Sequence, residues 1–210
     1  MITVHHLNNS KSQRIVWLLE ELGLDYRLEF YRREPTLAAP PEMRDVHPLG
    51  KAPIVEIDGQ VMAESGAIIE YIVQRYGNGQ LMPAPDTADY ARYLEVLHYA
   101  EGSANPILLI SMMFPMFGID NPVATGFLTN AVKLHLDYIE GMLENRDYFA
   151  GDRFTAADLH ITFNLQMAQA SNLIGDRPRM LAFLDRVTGR PAYLRAIEKG
   201  GPFDLTANRR

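Results

Sequence analysis

The dipeptide Asp58-Gly59 restricts the fold of this chain more than any other feature. It separates two β-rich runs, Ala52-Pro53-Ile54-Val55-Glu56-Ile57 and Gln60-Val61-Met62-Ala63. Asp-Gly in that setting predicts a two-residue hairpin, because both turn positions take positive φ. Upstream, Ile2–Leu7 and Tyr26–Phe30 read as strands, the second with Tyr26, Leu28 and Phe30 on one face. Between them Ile15, Leu18, Leu19 and Leu22 stand at i, i+3, i+4 and i+7, one apolar helix face, and Gly23 stops it. A strand–helix–strand crossover joins parallel strands. After the hairpin, Ser65 is placed to cap a helix carrying Ile68, Ile69, Ile72, Val73 and Tyr76 on one side. The resulting order is βαβ–ββα.

The rest of the chain reads differently. Residues 31–47 are irregular, with Pro35, Pro40 and Pro41 preventing a long helix. The run GNGQLMPAPDT, Gly77–Thr87, predicts a linker at 78–87 between a first domain over 1–77 and a second over 88–210. Every later segment is helical in pattern. One helix is expected over about 87–114, and one after Asn121-Pro122 with Val132, Leu136, Ile139 and Leu143 along a face. Another starts at Thr155, and two short ones occupy 178–200, the second opened by Pro191. In Phe154-Thr155-Ala156-Ala157-Asp158-Leu159, Thr155 is the N-cap and Asp158 the N3 acid of a capping box. Phe154 and Leu159 hold the hydrophobic-staple positions. The residues that follow are apolar on nearly every side, so this helix is expected at the centre of the helical part.

Composition narrows the function. The 210 residues carry a net charge of −6 with 47% apolar side chains, a folded chain without a basic face for nucleic acid. Absence of cysteine excludes disulfides, thiolate metal sites and a cysteine nucleophile, and it suits a cytoplasmic location. MITVHHLNNSKS has no signal-peptide pattern. The most apolar stretch, Ile107–Ile119, falls short of the roughly 20 residues a bilayer needs and contains Pro115, so no membrane association is expected. His5 and His6 point to opposite faces of a strand, and His98, His135 and His160 sit on separate helices without ligand spacing. No metal site is expected. Neither a P-loop nor a GxGxxG occurs.

A polar run, Asn8-Asn9-Ser10-Lys11-Ser12-Gln13-Arg14, lies at the first strand-to-helix junction. Ser10 and Gln13 have capping-box spacing, which makes Ser10 the expected N-cap of the first helix. A hydroxyl has two lone pairs and one hydrogen, so Ser10 could accept from a helix N–H and still donate outward.

A βαβ–ββα unit followed by an all-helical one resembles the glutathione transferase superfamily, and four local matches carry the resemblance. They are the polar turn at 9–12, His47-Pro48-Leu49-Gly50-Lys51-Ala52-Pro53, Glu64-Ser65-Gly66-Ala67-Ile68, and Thr155-Ala156-Ala157-Asp158. The resemblance implies an α/β thioredoxin-like N-terminal domain, an all-α C-terminal domain, glutathione as co-substrate without a metal, and a homodimer. It further implies that Pro53 is a cis-proline, with Ala52 pairing with the glutathione backbone. Lys51 would meet the glycyl carboxylate, and Glu64 and Ser65 the γ-glutamyl end.

The first strand ends His5-His6-Leu7 without tyrosine, so the turn looks like that of the serine-type transferases, including bacterial and fungal members. Such an enzyme lowers a thiol pKa from near 8.5 by about two units, roughly 2.7 kcal/mol of preferential thiolate stabilisation. Ser10, Asn9 and Ser12 are the candidate donors to the sulfur. The same resemblance gives Leu7, Met112, Met113, Phe114 and Phe117 as lining for a hydrophobic electrophile, as in detoxification. Two other functions share the fold: glutathione-dependent peroxide or disulfide reduction, and a non-catalytic interaction module.

Overall fold

Alternation along the first strand sends Ile2, Val4 and His6 to one face and Thr3, His5 and Leu7 to the other, and the sheet is built around it. The computed structural model describes residues 1–202. Strands β1 (Ile2–Leu7), β2 (Tyr26–Tyr31), β3 (Ile54–Ile57) and β4 (Gln60–Ala63) form one sheet in the order β2-β1-β3-β4. β1 runs parallel to β2 and antiparallel to β3, and β3 pairs antiparallel with β4. Asp58 and Gly59 close the hairpin with φ of 52° and 76°, as their identities required.

Two compact units form. The first comprises Met1–Leu81 together with residues 188–202, and the second Met82–Val187. The first unit holds the sheet, α1 (Gln13–Leu22), the short α2 (Met43–Val46), α3 (Ser65–Tyr76) and α9 (Pro191–Gly200). Sequence periodicity groups α9 with the helices of 88–210, whereas it packs on α1.

Charge complementarity explains that return. Glu21 accepts from Nε and one terminal nitrogen of Arg190 at 2.6 and 2.8 Å. Glu20, 8% exposed, accepts from Arg195, Lys199 and the Tyr26 hydroxyl. The Gln13 amide donates to the Ala196 carbonyl at 2.8 Å, and Trp17 meets Tyr193 edge-on at 5.0 Å. Gly200 allows this approach, since a Cβ there would lie 2.4 Å from Gln13 Oε1.

Burial alone would raise the Glu20 carboxyl, but bonds from Lys199, Arg195 and Tyr26 outweigh it and hold the group at about 2, below its ordinary 4.5. A depressed folded value means stability that is present above the ordinary pKa and lost as pH falls toward 2. Glu20→Gln is therefore expected to cost about 2 kcal/mol at neutral pH. Its denaturation midpoint should converge on that of the native chain between pH 4.5 and 2. Urea titrations across that range check this.

The second unit holds α4 (Ala88–Tyr99), α5 (Asn105–Met116), α6 (Pro122–Met142), α7 (Ala156–Ala170) and α8 (Pro178–Thr188). The single helix expected over 87–114 is α4 and α5 joined through a π-helical turn at Ala100–Ala104. Pro106 brings no N–H to that turn and its ring crowds the preceding carbonyls, so the register widens. Asn164 of α7 takes up the Ala100 carbonyl at 2.5 Å. Asn121 caps α6 by accepting from the Ala124 N–H at 3.0 Å.

α7 is buried along nearly its whole length, with Phe154 and Leu159 covered at the staple positions. Its capping box is formed. Asp158 Oδ2 accepts the Thr155 N–H and hydroxyl, and Oδ1 accepts the Phe149 N–H, all at 2.7 Å. Burial pushes the Asp158 carboxyl up to about 6, against these donors. Among the described residues no helix is long and apolar enough to cross a membrane.

Candidate functional site

Sheet topology brings three separated segments of the first unit to one place. His5 pairs with Ile54, and Ile54 pairs with Ala63. The exit of β1, the entry of β3 and the exit of β4 therefore share one end of the sheet. From these points lead the polar turn at 8–12, the corner at 51–53 and the start of α3 at 64–65.

At the turn, Asn9 takes the left-handed conformation with φ 51°, which asparagine tolerates. Arg33 holds this turn from the segment after β2. Its Nε and one terminal nitrogen donate to the carbonyls of Asn8 and Asn9 at 3.1 and 3.0 Å, and its own N–H donates to Asn8 Oδ1. Burial lowers the Arg33 pKa. Nothing in the sequence gives Arg33 or Asn8 this role. An arginine following β2 carries no local signal of the loop it will clamp.

The expected Ser10–Gln13 capping box does not form. Ser12 occupies the N-cap, and Gln13 reaches α9 instead. Ser10 Oγ accepts the Ser12 N–H at 3.2 Å and lies 2.7 Å from Ser12 Oγ. Ser12, completely buried, also meets the Leu7 N–H and His6 Nδ1. The two hydroxyls and an imidazole thus form one chain, whereas sequence spacing treats the serines as alternatives. His5 lies across the strand, between the Tyr31 hydroxyl at 3.0 Å and Glu56 at 2.9 Å.

At the corner, the Ala52–Pro53 bond is cis. Pro53 is buried and Lys51 exposed. At α3, Glu64 rather than Ser65 is the N-cap, and it stands at φ 72°, ψ 114°. A non-glycine residue there is strained, by about 1–3 kcal/mol, and such strain concentrates at binding and catalytic sites. Ser65 becomes the first helical residue. Its hydroxyl, in a residue 2% exposed, has no hydrogen-bond partner among the described residues. An unspent buried hydroxyl among the free N–H groups of a helix start is suited to a carboxylate.

The apolar candidates separate. Leu7 is 2% exposed and packs against Met43 and Ile54 beneath the sheet. Met112, Met113 and Phe114 lie on α5, and Phe117 follows it. Phe114 lines an open groove of about 540 Å³ in the second unit, with Ile110, Val123, Phe127 and Leu128. Met112, Met113 and Phe117 are not among its lining.

Residues 10–75 match the glutathione S-transferase N-terminal domain and residues 127–191 the glutathione S-transferase C-terminal domain. Glutathione S-transferase 3 of Schizosaccharomyces pombe is 37% identical, over 95% of this chain and 88% of that protein. Glutathione S-transferase 1 of Saccharomyces cerevisiae is 31% identical over 95% of each. A glutathione S-transferase from Actinobacillus pleuropneumoniae, solved by crystallography, superposes with a TM-score of 0.90. It is 36% identical and covers 98% of this chain and 96% of that one.

Proposed function

The chain belongs to the glutathione transferase family, and from that membership we infer that the sheet end formed by residues 8–12, 51–53 and 64–65 is where glutathione is held and its thiol activated. The observation that carries this is the buried hydroxyl of Ser65, without a partner among the described residues, beside the strained Glu64 and on the same sheet end as the Ser10–Ser12 pair.

In this reading Ser65 and the first N–H groups of α3 bind the γ-glutamyl carboxylate, and Glu64 meets the ammonium beside it. The Ala52 backbone pairs with the cysteinyl unit at the cis-proline, and Lys51 draws in the glycyl carboxylate. Those contacts fix the sulfur over the turn. There Ser10, ahead of Asn9 and Ser12, stabilises the thiolate together with the positive end of α1. The co-substrate is a small hydrophobic electrophile, as detoxification requires, and Met112, Met113, Phe114 and Phe117 of the second unit are the apolar side chains offered to it. The enzyme works as a cytoplasmic homodimer.

Ser65→Ala tests the anchor. It is expected to weaken glutathione binding about tenfold, the loss of one hydrogen bond to a charged group, with kcat changed far less. Calorimetric titration with glutathione reads the first and saturation kinetics the second. An unchanged dissociation constant would remove Ser65 from the site.

A further inference from the structure

A buried chain of hydrogen bonds runs inward from Ser10. Ser10 Oγ lies 2.7 Å from Ser12 Oγ, Ser12 Oγ lies 2.9 Å from His6 Nδ1, and His6 Nε2 lies 2.8 Å from the Gly200 carbonyl oxygen. His6 and Ser12 are completely buried and Ser10 nearly so. Elimination places the hydrogens. A carbonyl only accepts, so Nε2 carries the ring proton, and in the neutral imidazole Nδ1 is then a lone pair. The Ser12 hydroxyl donates to it, the Leu7 carbonyl at 3.3 Å being the more distant acceptor. Ser12 has a single hydrogen, so Ser10 is the donor in the bond between them. The resting turn therefore presents an oxygen lone pair outward rather than a hydrogen.

We propose that His6 is the terminal acceptor of the glutathione thiol proton, which reaches it through Ser10 and Ser12. This rests on the reading of Ser10 as the neighbour of the sulfur. The S–H proton passes to Ser10 Oγ, the proton of Ser10 to Ser12 Oγ, and the proton of Ser12 to His6 Nδ1. One S–H and two O–H bonds break, two O–H and one N–H bonds form, and nothing is oxidised or reduced. The products are a thiolate and an imidazolium. Each hydroxyl has then turned round: Ser10 donates to the thiolate, Ser12 to Ser10, and Nδ1–H to Ser12, while Nε2–H remains on Gly200. Both states use the same heavy atoms at the same separations, so the transfer needs no rearrangement of the turn.

The surroundings suit a base that waits uncharged. Burial lowers the His6 pKa, with the Gly200 carbonyl opposing, so the ring is neutral and Nδ1 vacant before glutathione arrives. β2 packs the Phe30 ring against it at 5.3 Å, and α1 supplies Ser12, with Gln13 and the buried Arg14 in the same turn. Further along α1, Glu20 is bonded to Arg195 and Lys199 of α9 and Glu21 to Arg190, and Glu198 of α9 is exposed. His5, Tyr31 and Glu56 face the opposite side of the sheet.

Nitrogen NMR of the histidine rings at neutral pH tests the proposal on the native chain. Glutathione is expected to convert His6 from a ring protonated only at Nε2 to one protonated at both nitrogens. S-methylglutathione, which has no thiol proton to give, should leave it neutral. A His6 ring that stays neutral with glutathione bound overturns the relay. In a second arm, His6→Asn keeps an acceptor for Ser12 but takes up no proton. The pKa of bound thiol, followed by thiolate absorbance, should rise by about one to two units in this variant. Ser12→Ala breaks the chain one link earlier and must give the same rise, which keeps the test decisive if His6→Asn fails to fold. Should Ser10→Ala raise the thiol pKa while these two leave it unmoved, the relay falls and Ser10 stands as activator. Should Ser10→Ala also leave it unmoved, the reading of the site falls with it.

Discussion

Replacing Ser10 with alanine is expected to lower kcat/KM for conjugation about a hundredfold, the equivalent of two pKa units of lost thiolate stabilisation. Glutathione affinity should change by less than about threefold, because in the proposed site the removed group acts on the sulfur and not on the carboxylates that anchor the peptide. The fold should survive. Among the described residues Ser10 Oγ accepts one backbone N–H, that of Ser12, in a loop turn. Asn9→Gly is the comparison, since glycine keeps the φ of 51° and removes the side-chain amide. It is expected to cost less than about fivefold in kcat/KM, the scale of one peripheral hydrogen bond. Steady-state kinetics on an aryl halide, with thiol titration by absorbance, separates the two. A larger loss in Asn9→Gly than in Ser10→Ala would give the sulfur contact to Asn9.

The largest effect on stability is expected at Asp158. The residue is completely buried, and its two oxygens take the N–H of Phe149 and both the N–H and hydroxyl of Thr155. Alanine would leave two buried N–H groups without an acceptor and open the cap of the central helix of the second unit. The sum is about 3–5 kcal/mol, or about 10 °C in Tm for a chain of this size. The Asp158→Asn change retains one acceptor oxygen and turns an NH₂ toward a donor, so most of the loss should remain. Thr155→Ala removes only the hydroxyl and is expected to cost about 1 kcal/mol. Calorimetry of the three variants checks the ranking, and equal melting temperatures for Asp158→Ala and the native chain would refute it.

Both capping boxes rest on patterns that sequence shows in the same way, yet only one forms as read. At Thr155–Asp158 the box is local and its partners are neighbours in sequence. At Ser10–Gln13 the spacing is equally good, but Gln13 finds the Ala196 carbonyl on a helix 183 residues away. Ser10 is left to pair with Ser12. The cis bond at Pro53 is expected from the family resemblance alone, whereas the hairpin is legible because Asp-Gly acts on its own backbone. The strain at Glu64 is not, since nothing in a Glu-Ser dipeptide announces a positive φ. His6 shows the same limit most clearly. In sequence it is one of two adjacent histidines unable to share a metal, and its partners appear only when the turn and α9 fold onto it.

That the first unit is closed by α9 has a consequence for the order in which the protein is made. The carbonyl that orients His6 belongs to Gly200, and the cations that neutralise Glu20 and Glu21 lie at 190, 195 and 199. A ribosome adding 5–20 residues each second needs roughly ten seconds to travel from the end of the sheet segment to α9. Throughout that interval the second unit, contiguous in sequence, has all its residues available first and can fold as a block. The nascent sheet meanwhile waits with two uncompensated carboxylates on α1. The polar turn at 8–12 is thus synthesised long before the Gly200 carbonyl that orients His6.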